Sequence, residues 1–359
     1  MLQRLLPAVG YLLLVQLSLP GIVSGVEERI SAPSVQISEP PIGLSLGPEL
    51  ITVATEWQNL SSGPVVQLQG SKPYQIWFAD IARDKKITRE ASLHILTNTL
   101  RHVQSSTNDV FGRPVHVTVV AVPGEIRREK TKAVIADAIL ELGFCSKETL
   151  QFLDMKNAAH YAYDLGSPGS LGLDVCDWDA EMNEAVIVDY NAAYLGLYLI
   201  DIKNTRAFKR AHATFSHLGE NVVRSDRATP NTMQAHEAIV SDQEVQRHII
   251  NILQMLDGFL SEYLVKEYTP ANVGTDRKPL RSDIRAVILT GDASAKGFEH
   301  LRAVLRHLFS NLHPSWLKDS IDPSTVIATG AAKRAFEILR KSKDNQEFNG
   351  HPREGHDEL

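Results

Sequence analysis

"AVIVDYNAAYLGLYLIDI", Ala185–Ile202, is the stretch on which the fold turns. Two runs rich in Val, Ile and Leu flank "DYNAAYLG", a pattern expected to give two strands joined by a tight turn. Asp189 closes the first strand, and Asn191, Ala192, Ala193 and Gly196 follow within a few positions. A strand, an acid and a turn of small residues can aim backbone N–H groups at a phosphate. The glycines and hydroxyls that would let a phosphate come close are missing here. Three readings stay open: a nucleotide site, an altered one, or a plain hairpin.

Working outward, strand-like and helix-like segments alternate on both sides of this hairpin. Upstream, Ile42–Thr55, Val65–Gln69 and Gln75–Ala79 have strand character. Thr88 is placed to cap a helix over Thr88–Val103 whose inner face carries Leu93, Leu96, Leu100 and Val103. "RPVHVTVVAVPG", Arg113–Gly124, predicts a buried strand, and a helix follows over Glu125–Leu142. Downstream, a third strand is expected at Ala207–Thr214. Ser241 and Glu244 form a capping box for a long helix with its apolar stripe at Val245, Ile249, Ile252, Leu256, Phe259 and Tyr263. "IRAVILTGDAS" predicts another buried strand, with a helix behind it, and Asp322-Pro323 is expected to open a last helix through Arg340.

The chain has 359 residues, of which 43% are hydrophobic, enough for two ordinary lobes with full cores. Its formal charge of -6 and the lack of a basic stripe argue against nucleic acid as a partner. Runs such as Lys85-Lys86 are the solvated faces of helices.

Both ends carry addresses. One early charge, Arg4, an apolar run from Leu5 and small residues at Val23-Ser24-Gly25 predict a cleaved signal peptide at 1–25, leaving no membrane span. The last four residues, His356, Asp357, Glu358 and Leu359, form an HDEL ending, a receptor-read retention signal of the endoplasmic reticulum (ER). An ER-luminal location follows, with the retention receptor as one partner. Asn59-Leu60-Ser61 is a sequon for N-glycosylation in that compartment, at Asn59. Cys145 and Cys176, the only cysteines, allow one disulfide or two buried thiols, and predict no metal site. The expected organisation adds a flexible leader at 26–40, lobe I at 41–184, and lobe II at 185–340 with a returning C-terminal helix. A disordered tail at 341–359 completes it.

From Pro41 to Leu339 the order of segments resembles the nucleotide-binding domain of the heat-shock protein 70 family, within the actin-like ATPases. "IGLSLGPELITVA" stands where that family has "IGIDLGTT". "FGRPVHVTVVAVPGEIRREK" follows its "LGRPVKxAVVTVPAxF" pattern, and "DMKNAAHYAYDLG" its "NEPTAAAIAYGLD". The opening stretch falls on "VLVxDLGGGTxDVSLLxI", "FSHLGENVV" on "DTHLGGEDFD", and "VILTGDAS" on "VLVGGSTR". The resemblance implies two α/β lobes, each a central sheet flanked by helices, around a cleft for ATP and magnesium.

Residue by residue, the same resemblance implies that the chemistry has been lost. The family's catalytic acids fall on Ser45, Met155 and Gly196, so no catalytic residue is assigned. Pro48 lacks the N–H a phosphate needs, and Glu49 places negative charge beside it. The positions left to hold a nucleotide are Gly43, Gly47, Asp189, Asn191, Ala192, Gly219, Gly291 and Asp292. The expectation is an ER-luminal pseudo-ATPase, without cofactor, that serves as an interaction or regulatory module for chaperone or quality-control proteins. The alternative is a protein that binds ATP or ADP with magnesium and hydrolyses it weakly.

Overall fold

The computed structural model describes residues 40–57, 62–124, 126, 128–145, 149–176, 178, 183–221, 242–265, 279–310 and 314–350. The signal peptide, the leader up to residue 39, Asn59, Ser241 and the HDEL ending lie outside them. The described residues form an α/β fold with two mixed five-stranded sheets flanked by helices.

The first sheet begins as an antiparallel meander of β1 (Ile42–Leu46), β2 (Leu50–Glu56) and β3 (Ser62–Gln69). Helices α1 (Lys72–Ala82) and α2 (Arg89–Phe111) follow, then β4 (Val117–Val122), α3 (Glu129–Glu141) and β5 (Gln151–Asp154). β4 lies parallel to β1 and β5 parallel to β4, giving the order β3-β2-β1-β4-β5. Every residue of β4 is buried, as its unbroken run VTVVAV requires of a central parallel strand.

The second sheet repeats this plan. β6 (Glu184–Tyr190), β7 (Leu195–Ile202) and β8 (Ala207–Phe215) form the meander, and β9 (Ile284–Thr290) and β10 (Leu317–Lys318) add parallel to it. The order β8-β7-β6-β9-β10 matches the first sheet strand for strand. Helices α5 (Asp242–Tyr263) and α6 (Ala295–Leu308) cover one face, with Ile252, Leu256, Phe259, Leu301 and Leu305 in a common core. The opening stretch is thus the first hairpin of the second sheet.

Two helices decide where the sheets meet. α4 (Met155–Ala162) leaves β5, and α7 (Val326–Gly350) returns from the second sheet to lie across β1, β2 and β4. Their contact is a seam of small residues, with Ala158, Ala331 and Ala335 packed against Val119 and Ala121. The helix backbones nearly touch: a Cβ on Gly330 would lie 1.8 Å from the Ala158 carbonyl oxygen.

Three expectations need correction. Gln75–Ala79 is helical, because Ser71 accepts a hydrogen bond from the Tyr74 N–H and Pro73 stands in the first turn of α1. Its apolar run buries Tyr74, Trp77 and Phe78 on one helical face. The last helix starts at Val326, since Asp322 holds a turn, accepting from the Ser324 N–H at 2.9 Å and, through its carbonyl, from the Thr325 N–H at 2.8 Å. That helix also runs past Arg340 to Gly350, where a disordered tail was expected; extending an anchored helix is far easier than nucleating one. The sequence left the pairing of the two cysteines open, and no disulfide joins Cys145 and Cys176. Cys145 sits in the core of the first sheet and Cys176 packs against a separate core beside the second.

Candidate functional site between the two turns

The matching topologies place the β1–β2 turn and the β6–β7 turn side by side at the seam. The first turn, Gly47-Pro48-Glu49, closes with the Gly47 N–H donating to the Leu50 carbonyl at 2.9 Å. Tyr74 of α1 buttresses it, its hydroxyl donating to the Gly47 carbonyl at 2.9 Å. Burial raises the Tyr74 pKa, so the hydroxyl stays a donor. The second turn closes with the Asn191 N–H donating to the Tyr194 carbonyl at 2.9 Å.

Asp292 lies between them. It follows β9 through Gly291, whose φ of +118° is open to glycine and strained for other residues. A Cβ on Gly291 would also meet the Tyr190 carbonyl oxygen at 2.1 Å. This close passage brings the Asp292 carboxylate under both turns. Its Oδ2 accepts from the Glu49 N–H at 2.8 Å and its Oδ1 from the Ala192 N–H at 3.2 Å. The Asp292 N–H in turn donates to Asn191 Oδ1 at 3.2 Å. An internal carboxylate therefore occupies the position, between two backbone turns, where an anion would be cradled. Burial pushes its pKa up to about 6, with the Glu49 carboxylate adding to the rise and the backbone donors opposing it.

Asp189 is turned inward as well. Thr290 donates to its Oδ1 at 3.0 Å and the Tyr194 hydroxyl to its Oδ2 at 2.9 Å. The Tyr194 ring crosses the seam and joins the core of the first sheet. Replacing Tyr194 by Phe removes a hydrogen bond to a buried carboxylate, an expected loss of about 1–3 kcal/mol in denaturant unfolding.

The expected site residues divide into two groups. Ser45, Gly47, Met155, Asp189, Asn191, Gly291 and Asp292 do come together, around a cavity of about 40 Å³. Ala192 joins them through its N–H. Gly43 and Gly219 face protein instead. A Cβ on Gly43 would lie 2.2 Å from the Ala332 nitrogen of α7, and one on Gly219 2.3 Å from the Ala193 carbonyl carbon. The segment after Gly219 covers the second turn, with the Glu220 and Asn221 N–H groups donating to the Asn191 and Ala192 carbonyls at 3.1 and 2.8 Å. Gly196 stands opposite Asp189, with the Tyr194 ring 3.4 Å from where its Cβ would be.

The space between the turns is small and its backbone donors are partly engaged. Small-molecule sites usually measure ~300–1,000 Å³, several times the space between the turns. One N–H group from each turn, those of Glu49 and Ala192, already donates to Asp292. Among the described residues no three His, Cys, Asp or Glu side chains are grouped to hold a metal ion. None of the described helices is long and apolar enough to cross a membrane. The bridging role of Asp292 is the feature that sequence reasoning missed, although an acid at a position expected to face an anion was its visible sign. No protein-family model and no curated protein matches the chain.

Proposed function

We propose that this chain is a non-catalytic member of the actin-like ATPases, closest in plan to the heat-shock protein 70 nucleotide-binding domain. In this reading it acts in the ER lumen as an interaction or regulatory module for chaperone or quality-control proteins. The observation that carries the reading is the Asp292 carboxylate, which takes hydrogen bonds from both turns where phosphates would sit. The repeated strand order in the two sheets supports the fold assignment, and the terminal signals support the compartment. Met155 and Gly196 offer no group that could orient an attacking water, and Ser45 has a neutral hydroxyl where the resemblance implies a carboxylate.

Calorimetric titration of the full chain with Mg-ATP and Mg-ADP tests it. The expected result is no binding tighter than roughly millimolar, the weak end of specific affinity. A micromolar dissociation constant would favour the nucleotide-binding alternative. Single-turnover hydrolysis that disappears in Asp189→Ala would overturn the non-catalytic reading outright.

A further inference from the structure

A cavity of about 350 Å³ lies between α1 and the second sheet. One wall is a helical stripe: Gln75, Phe78, Ala79 and Ala82 recur at the spacing that places side chains on one face of α1. The other comes from β8, where His212 and Thr214 alternate with Ala211 and Ala213, residues turned to the core of the second sheet. Pro48 and Glu49 of the first turn and Ala193 and Tyr194 of the second complete the lining. Asp292 lines the small cavity between the turns and not this one. The volume falls within the ~300–1,000 Å³ usual for small-molecule sites.

The walls are held by contacts of their own. Phe78 is 1% exposed, its ring centroid 6.3 Å from that of Tyr74 and 6.5 Å from that of Trp77. The Tyr194 hydroxyl is fixed on Asp189, and the His212 ring stacks on Tyr198 with centroids 5.9 Å apart. Walls already ordered lose little freedom when a ligand enters. Two charged side chains line the cavity, Glu49 and Arg83. Glu49 is engaged, its Oε1 accepting from Asn221 Nδ2 at 3.2 Å. Arg83 makes no ion pair among the described residues, since the acids beside it are taken, Asp80 by Lys85 and Asp84 by Arg128. A planar guanidinium accepts a carboxylate through two parallel N–H bonds. Glu49 opposes a second negative charge in the same space, which disfavours a phosphate monoester. Phe78, Ala79, Ala82, Ala193 and Tyr194 offer apolar surface to the rest of the ligand.

We propose that this cavity binds a compact monocarboxylic acid with a flat apolar body, its carboxylate on Arg83 and its body between α1 and the second turn. The site does not use Asp292 and does not depend on the pseudo-ATPase reading.

The test titrates the full chain with benzoate, 3-phenylpropionate and indole-3-acetate, each beside its neutral amide, by calorimetry and thermal unfolding at matched ionic strength. At least one acid is expected to bind one-to-one and to raise the unfolding midpoint beyond a sodium chloride control. Its amide is expected to bind about tenfold more weakly or worse, because the charge-assisted pair with Arg83 is lost. Arg83→Gln is expected to cost the acid a similar factor and to leave the unliganded midpoint nearly unchanged, as Arg83 is exposed and makes no ion pair. Ala82→Trp, at an exposed position on the helical wall, is expected to abolish binding by filling the cavity. A shift no larger than that of salt for all three acids, an amide that binds as well as its acid, or undiminished affinity in either variant overturns the proposal. Tighter binding of phenyl phosphate than of any acid overturns the class of ligand. Displacement of the acid by Mg-ATP also overturns it, since the cavity would then belong to a nucleotide cleft.

Discussion

Asp292→Ser is expected to lower stability by about 2–4 kcal/mol and to make the protein respond to inorganic phosphate. The first effect follows from hydrogen bonding: the Glu49 and Ala192 N–H groups lose their acceptor, and stranded buried donors cost about 1–3 kcal/mol each. The second follows from what the vacated space becomes, a pair of turns presenting N–H groups to a gap of anion size. Phosphate at a hundred times its dissociation constant would restore about 2.7 kcal/mol. Thermal unfolding with and without phosphate measures both. A variant as stable as the native chain, or one indifferent to phosphate, would show that Asp292 is not a stand-in for an anion.

The same carboxylate sets a pH dependence. Its pKa is about 6 in the fold against an ordinary 3.8, so the folded chain holds the proton more tightly than the unfolded chain. Its contribution is therefore most favourable below about pH 4, is lost as pH rises through 6, and changes little above that. A shift of this size is worth about 2–3 kcal/mol. Asp292→Asn is expected to remove that slope between pH 4 and 6, as denaturant unfolding at several pH values would show.

The second large effect is expected at Gly330. In Gly330→Ala the new methyl would overlap the Ala158 carbonyl, and neither helix backbone can yield locally. α4 and α7 must then separate, opening the seam of Ala158, Ala331 and Ala335. The expected loss is about 3–5 kcal/mol, a large share of the ~5–15 kcal/mol that holds a typical domain together. Gly258→Ala is the matched control: it lies within α5 with nothing within 4 Å of the added Cβ. There the substitution is expected to raise stability by about 0.5–1 kcal/mol, since alanine restricts the unfolded chain and favours helix. Equal midpoints for the two variants would contradict the close crossing.

The framework was legible wherever one physical signal dominated. Unbroken apolar runs announced β4, β6 and β9, and the stripe from Ile249 to Tyr263 announced α5, because burial on one face is a local periodicity. Thr88 caps α2 as its chemistry predicts, accepting from the Ala91 N–H at 3.2 Å. "QIWFA" misled because Ile, Trp and Phe favour strands, while the deciding signals, Ser71 and Pro73, lie just upstream. The site was legible residue by residue but not as an assembly. Asp292 meets Glu49 across 243 positions of chain and Ala192 across 100, and no pattern within a window records such a meeting. Gly43 and Gly219 illustrate the converse: the need for glycine was visible, but the neighbouring backbone that imposes it was not.

The long return of α7 has a consequence for synthesis. The face of the first sheet carrying Ala54, Val119 and Ala121 is covered by Ala328, Ala331 and Ala332. Those residues are made roughly 200 positions after β4, which at ~5–20 residues per second is about 10–40 s later. During that interval the nascent first sheet presents an uncovered apolar face with its own strands complete. The chain's early half is thus a client for protection until its final helix emerges, and truncation before residue 326 leaves that face permanently open.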